Sequence, residues 1–395
     1  MRSIADPALR FALQVYLPLR VGLSTFAAVV RALYRGDLSP DPVLRPYLGV
    51  SPIEGGWRGL LLGVWQRWDT LWYMLIAREG YNMEDTRIFA PPLYPGLMRL
   101  VGSLLGGSET AYLVGGLIVS NLACIGLLFY FYRLVEMEWD ATIARRSVVY
   151  LAMFPSAFFL LAAYAESLLM LCTVAAFYHA RRREWFAAGL WGFFAPLARL
   201  PGVVILLPLG WEFARQWWGS RRTEEPLPGW HGWPLLLVAL GGALFPMYAY
   251  FVVGSDGLLA PFQIHTQRFM GRFAMPWQSL WMAVRVLVSG SLRIIEPFDL
   301  FFALLFVGLT IVAFHKLPML YALYMAVMLA GTLTKVAGVQ PLLSLSRYVL
   351  VLFPGFVLLA RLGQRGLWWN RLIVYSALAL SLFFSGQFTI WGWVG

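Results

Sequence analysis

Asp69 follows Trp68 within GWRGLLLGVWQRWDTLWYMLIAREGY, residues 56–81, and is the carboxylate around which the chemistry of this chain can be built. Trp57, Leu60, Leu61, Val64, Trp68, Leu71, Trp72 and Leu75 recur at three- and four-residue spacing. The pattern predicts one amphipathic helix whose apolar face runs the length of the stretch. At about 100° per residue, Asp69 falls at the edge of that face, beside Trp65, Arg58 and Tyr73. A carboxylate so placed borders apolar surroundings on one side and water on the other. It is either a surface acid on an interfacial helix or a general base. Gly55, Gly59 and Gly63 recur at four-residue spacing, which predicts the close approach of a second helix.

Three more charged residues stand out because each abuts an apolar run: Glu166 in YAES, Arg199 in LARLPG and Arg347 in SLSRY. Taken singly they have ordinary readings, Glu166 as a helix cap and the arginines as snorkelling anchors. Placing a charge at a membrane centre costs about 2.5 to 3.5 kcal/mol, and less at its edge. Four such groups on one face are more economically read as a site. An acid and arginines at a lipid boundary suit glycosyl transfer from a lipid phosphate. The carboxylate takes the proton of an acceptor hydroxyl while guanidinium groups hold the departing phosphate.

The elements that must position these groups follow from composition. With 60% hydrophobic residues, 13% charged ones and a mean hydropathy of +0.68, the chain cannot be covered by a water-facing surface. It reads as an all-α polytopic membrane protein, one domain over residues 1–395. The net charge of +11 is assigned to lipid head groups and orientation, not to nucleic acid, because no basic, aromatic-interleaved soluble module is present. Cys124 and Cys172 lie in apolar runs and read as small hydrophobes. The first apolar run reads as a retained anchor.

Apolar stretches predict about eleven spans, near residues 9–33 with a break at Pro18, 110–135, 147–163, 165–180, 185–199, 202–218, 233–253, 297–314, 317–335, 347–362 and 371–391. Residues 34–107 form a long first external loop with interfacial helices, and residues 254–296 a second external insert. Short loops carrying Arg145, Arg146, Arg181, Arg182, Arg183, Arg221, Arg222, Lys316, Arg361, Arg365 and Arg371 are placed on the cytoplasmic side. Asp69, Glu166, Arg199 and Arg347 then all map to the opposite boundary.

The residues also carry a resemblance. RWDTLWYMLIAREGY with FAPPLYP, then FPSAFFLLAAYAESLLML, LARLPG, FQIHTQRFMGRFAMPW and SLSRYVLVLFPGF resemble the signature blocks of the GPI mannosyltransferase II (PIG-V) family and its bacterial relatives. The resemblance implies a GT-C type fold and an inverting membrane glycosyltransferase. It would move a sugar, with mannose the one the family name implies, from a polyprenyl-phosphate donor to a lipid or glycan acceptor. Asp69 matches the WD aspartate and becomes the expected base, and Glu166 matches the glutamate of the YSES block, here YAES. Arg67, Trp68, Tyr73, Tyr164, Arg199, Gln267, Arg272, Arg347 and Tyr348 are the expected substrate-binding residues. The expected setting is a bacterial cytoplasmic membrane with the site on its outer face, or the endoplasmic reticulum membrane in a eukaryote.

Other classes fit less well. No DxD string or histidine ligand spacing appears, so no metal or cofactor is expected. No GxGxxG, P-loop or GxSxG is present, which argues against nucleotide-sugar donors and serine hydrolases. A lipid or lipid-linked sugar flippase is the alternative, and it predicts an inverted repeat and charges near the midplane.

Overall fold

The computed structural model describes residues 6–81, 86–221, 229–254, 257–261, 263, 271–290, 294–337 and 340–394. Among the described residues it holds sixteen α-helices and one two-stranded sheet. Packing divides the chain into two compact units. One comprises Met1–Tyr81, Pro92–Leu171 and Leu359–Val394; the other comprises Asn82–Pro91 and Cys172–Leu358, with Gly395.

The first unit contains α1 (Pro7–Leu33), α2 (Gly56–Leu61), α3 (Asp69–Glu79), α4 (Leu93–Leu104), α5 (Glu109–Glu138), α6 (Ala141–Met153) and the start of α7 (Glu166–Arg181). The second unit takes up the rest of α7, then α8 (Trp185–Ala198), α9 (Leu206–Ser220), α10 (Leu235–Phe251) and α11 (Pro276–Ser289). It continues with α12 (Glu296–Lys316), α13 (Met319–Leu333) and the short α14 (Leu345–Tyr348). α15 (Pro354–Gln364) leads back into the first unit, which α16 (Leu367–Thr389) completes. β1 (Gly271–Phe273) pairs antiparallel with β2 (Lys335–Ala337). Four helices, α1, α5, α12 and α16, are long and apolar enough to cross a bilayer, and the pair Leu345–Val351 and Pro354–Gln364, bent by 83°, makes up to five. The chain is therefore a multi-pass integral membrane protein.

Helix ends follow local chemistry. Asp6 caps α1 by accepting the Ala8 N–H at 2.8 Å, Ser108 caps α5 through Ala111 at 3.1 Å, and Asp140 caps α6 through Ile143 at 2.8 Å. Within the second unit, Phe177, Tyr324 and Phe353 form an aromatic core with ring centroids 5.3 to 5.7 Å apart.

Four expectations need correction. The stretch 56–81 is not one helix: α2 gives way to a 3₁₀ turn at Gly63–Trp65 and then to a non-helical turn before α3 starts at Asp69. α1 does pack against α2, but the open sides of Gly59 and Gly63 face the chain's own preceding segment. A Cβ on Gly63 would collide with the carbonyl of Ile53, and one on Gly59 would lie 3.3 Å from the backbone of Glu54, so both make room for the chain's own preceding segment. α1 runs unbroken through Pro18, as spanning helices allow when neighbouring groups cover the freed carbonyl. The third span ends at Met153, where Pro155 follows, and residues 154–165 are largely non-helical apart from a 3₁₀ turn at Ala157–Leu160.

The helices α4 and α5 meet backbone to backbone at glycine. A Cβ on Gly115 would lie 2.8 Å from the Gly102 nitrogen and 2.9 Å from the Met98 carbonyl oxygen. Gly115→Val should therefore destabilise the fold by about 1 to 3 kcal/mol through overpacking. A lowered melting temperature of the detergent-solubilised protein would register it, and an unchanged one would show that α4 can move away.

Candidate active site

Asp69 is the first residue of α3, and the turn that delivers it is strained. Arg67 through Thr70 form a β-turn closed by the Thr70 N–H donating to the Arg67 carbonyl at 3.1 Å. Trp68 occupies the first central position with φ 51 and ψ −120, the seat of a type II′ turn where glycine is usual. A bulky residue there costs on the order of 1 to 3 kcal/mol and persists only when its surroundings over-determine it.

Three side chains do so. The Tyr164 hydroxyl donates to the Arg67 carbonyl at 3.3 Å and accepts the Asp69 N–H at 3.2 Å, so one oxygen bridges both sides of Trp68. Gln66, fully buried, accepts the Ile53 N–H and donates to the Ser51 carbonyl, both at 2.9 Å, which ties the preceding segment to the turn. Arg67, 3% exposed, donates from Nε and Nη2 to the Thr389 carbonyl at 3.2 and 3.1 Å, and from Nη1 to the carbonyls of Gly63 and Gln66 at 2.7 and 3.0 Å. Burial lowers its pKa to about 10, which leaves it protonated at neutral pH. Arg67 is thus closed around backbone carbonyls and positions the turn, a different role from the substrate contact expected of it.

The break at residues 154–165 supplies Tyr164 and leaves backbone groups without helical partners. Those groups are met by side chains from neighbouring helices. Leu161's carbonyl accepts from Arg20 Nη1 at 3.2 Å and Asn121 Nδ2 at 3.0 Å. Ala163's accepts from the Thr70 hydroxyl at 3.3 Å, and Tyr164's from the Ser120 hydroxyl at 2.8 Å. Thr70 and Tyr164 therefore stitch α3 to this stretch from both directions.

Glu166 opens α7 and is 1% exposed. The neighbouring Ser167 hydroxyl donates to the Ser120 carbonyl at 2.9 Å. Tyr73 packs edge-on against Tyr94 at 4.8 Å and Tyr164 at 6.4 Å. Burial pushes the Tyr94 phenol well above its ordinary pKa, a hydrogen bond with Ser120 opposes that shift, and the charges of Tyr73 and Glu166 add to it. The first unit thus gathers Asp69, Trp68, Tyr73, Tyr164 and Glu166 around one tyrosine and serine network. Tyr94 and Ser120 belong to that network and were not singled out in the sequence; the tyrosine of FAPPLYP was the available signal.

The second unit gathers the arginines. Arg199 ends α8, with its guanidinium carbon 5.5 Å from the Tyr348 ring centre, and Arg347, 2% exposed, lies 5.9 Å from the same ring. The turn into α14 begins at Ser344, in left-handed backbone with φ 65. It is anchored by Asp299 in the first turn of α12, whose Oδ1 accepts the Ser346 N–H at 2.7 Å. Asp299 is 4% exposed and is a positioning residue that the sequence did not reveal. Arg272 sits exposed on β1, with Nη2 3.2 Å from Met282 Sδ, and Gln267 lies outside the described residues. Among the described residues no group of three His, Cys, Asp or Glu side chains could hold a metal ion, and Cys124 and Cys172 are buried thiols.

Residues 42–213 match a family model described as mannosyltransferase (PIG-V). The matched segment takes in Asp69, Glu166 and Arg199 and ends before Arg347. No curated protein matches the chain.

Tyr164→Phe keeps the ring and removes only the oxygen that bridges the Arg67 carbonyl and the Asp69 N–H, leaving that carbonyl to the Thr70 N–H. Loss of such a buried bond costs about 1 to 3 kcal/mol. The substitution should lower the melting temperature and cut glycosyl transfer by roughly tenfold or more by loosening Asp69. A variant with both values unchanged would show that Arg67 and Gln66 hold the turn unaided.

Proposed function

We propose that this chain, whose residues 42–213 match the PIG-V mannosyltransferase family model, is a membrane glycosyltransferase that transfers a mannosyl group, with inversion, from a polyprenyl-phosphate donor to a hydroxyl of a lipid or glycan acceptor. The observation that carries this reading is the seating of Asp69. It is a half-buried carboxylate at the first position of α3, delivered by a strained turn that Tyr164 pins from both sides.

In the proposed step the Asp69 carboxylate takes the acceptor's hydroxyl proton as that oxygen attacks the anomeric carbon from the face opposite the phosphate. The bond from the anomeric carbon to the phosphate oxygen breaks, and its electron pair leaves with the polyprenyl phosphate. A phosphate held by arginine departs without a protonating acid, since guanidinium charge stabilises the leaving oxygen. Arg347 and Arg199, arranged about Tyr348, are the residues assigned to that phosphate. Glu166 is assigned to orienting the acceptor. The reaction is placed on the outer face of a bacterial cytoplasmic membrane, the side the arginine-bearing loops leave free.

Asp69→Asn preserves shape and removes the proton acceptor, so transfer should fall by about 10² to 10⁴ while donor affinity and melting temperature hold. Undiminished transfer would remove Asp69 as the base. Arg347→Ala should weaken binding of polyprenyl phosphate roughly tenfold or more, measured with the sugar-free lipid; equal affinity would take the phosphate away from Arg347. Transfer should also survive dialysis against a chelator, and activity lost there and restored by manganese would require a metal-assisted step.

A further inference from the structure

The turn that follows α16 brings two tryptophans onto the residue that precedes the proposed base. Trp393 packs edge-on against Trp68 with ring centroids 4.8 Å apart and planes at 80°, and Trp391 does the same at 5.2 Å and 70°. Trp391 is itself held by Tyr47 at 5.0 Å and by the Arg67 guanidinium at 4.9 Å. The turn is tight: the Gly392 N–H donates to the Gln387 carbonyl at 2.7 Å, and a Cβ at Gly392 would lie 2.9 Å from that same oxygen. Trp391, 6% exposed, sits in left-handed backbone with φ 66, so this aromatic seat also carries strain.

These indoles share a second property. The Nε1 atoms of Trp68, Trp391 and Trp393 are all buried, and none has an acceptor among the described residues. An indole nitrogen only donates, and a buried donor left unmet is costly, so three in one cluster are unusual in a folded chain. An acyl chain offers such donors nothing. A phosphate would be drawn to a cation, and Arg67, which lies over the Trp391 ring, already has its donors on backbone carbonyls. A pyranose ring suits both properties, because its hydroxyl oxygens accept hydrogen bonds and its C–H face packs on aromatic rings.

We infer that Trp68, Trp391 and Trp393 form a pyranose-binding subsite that presents a sugar hydroxyl to Asp69. Trp393 and Trp68 are both half-buried while Trp391 is buried, so in this subsite a shift of the Trp393 ring uncovers the indole N–H groups. The inference deepens the proposed function and rests on Asp69 as the base. The sugar held there belongs either to the acceptor or to the donor, and the same chemistry recognises both.

The test uses the full-length protein in detergent and the variants Trp68→Phe, Trp391→Phe and Trp393→Phe, which keep an aromatic ring and remove one N–H each. Three probes are titrated: octyl α-D-mannopyranoside, polyprenyl-phosphate mannose and sugar-free polyprenyl phosphate. Each variant should bind a mannoside roughly three- to tenfold more weakly, the effect of one lost hydrogen bond, with affinity for the sugar-free lipid unchanged. Loss confined to octyl mannoside assigns the subsite to the acceptor ring, and loss for polyprenyl-phosphate mannose assigns it to the donor ring. Failure of the wild type to bind either mannoside, unchanged mannoside affinity in all variants, or an equal loss for the sugar-free lipid would each overturn the subsite. If Trp391→Phe unfolds the strained turn, Trp393→Phe carries the measurement, because Trp393 is not in left-handed backbone. Asp69→Asn titrated alongside separates the two ideas. Normal transfer by that variant with weakened mannoside binding in the tryptophan variants removes the base and keeps the subsite, whereas the reverse pattern removes the subsite alone.

Discussion

One oxygen atom, the hydroxyl of Tyr164, braces the strained turn that presents Asp69 by bonding to the residue on either side of Trp68. The rest of the first unit can be understood as the means of putting that oxygen there. Tyr164 reaches the turn because the chain leaves helical geometry after Met153, and leaving a helix in an apolar environment frees backbone groups that water cannot satisfy. Each freed carbonyl therefore needs a donor from a side chain. Arg20, Asn121, Thr70 and Ser120 supply them from α1, α5 and α3.

This requirement explains where the polar residues of so apolar a chain have gone. Gln66, Arg67, Thr70, Ser120 and Ser167 are all buried, and each bonds to a main-chain group. A fully satisfied buried network fixes one arrangement, since any other leaves an unmet polar group in a medium of low dielectric constant. The result is a carboxylate whose backbone is immobilised while its side chain stays half-exposed, the combination that a proton acceptor for an incoming hydroxyl requires.

Much of the framework was readable from hydropathy, because a membrane imposes length and apolarity on its spans. The stretches read near residues 110–135, 185–199, 233–253, 297–314 and 317–335 lie within a few residues of α5, α8, α10, α12 and α13. The helix that seemed to run over residues 56–81 was misread because apolar spacing does not register a turn made of bulky residues. Trp57 and Leu61, placed by periodicity on the apolar face, are 62% and 46% exposed, whereas Trp65, placed off that face beside Asp69, is 2% exposed. A tryptophan in a glycine conformation leaves no sequence signal. Tyr94, Ser120 and Asp299 escaped for another reason: their work is done on backbone atoms, and partners of that kind are decided by tertiary packing alone.

The two units handle their charged residues in the same way, each within its own turn. In the first, a positive-φ residue, Trp68, immediately precedes Asp69; in the second, the positive-φ residue Ser344 opens the turn that carries Arg347. Each is held by a buried side chain bonded to the backbone one or two residues away, Tyr164 in one case and Asp299 in the other. Strain of this kind is stable only when the fold contributes more than the strain costs. It follows that the charged groups do not depend on substrate to fix their backbone, and little reorganisation is left to the moment of reaction.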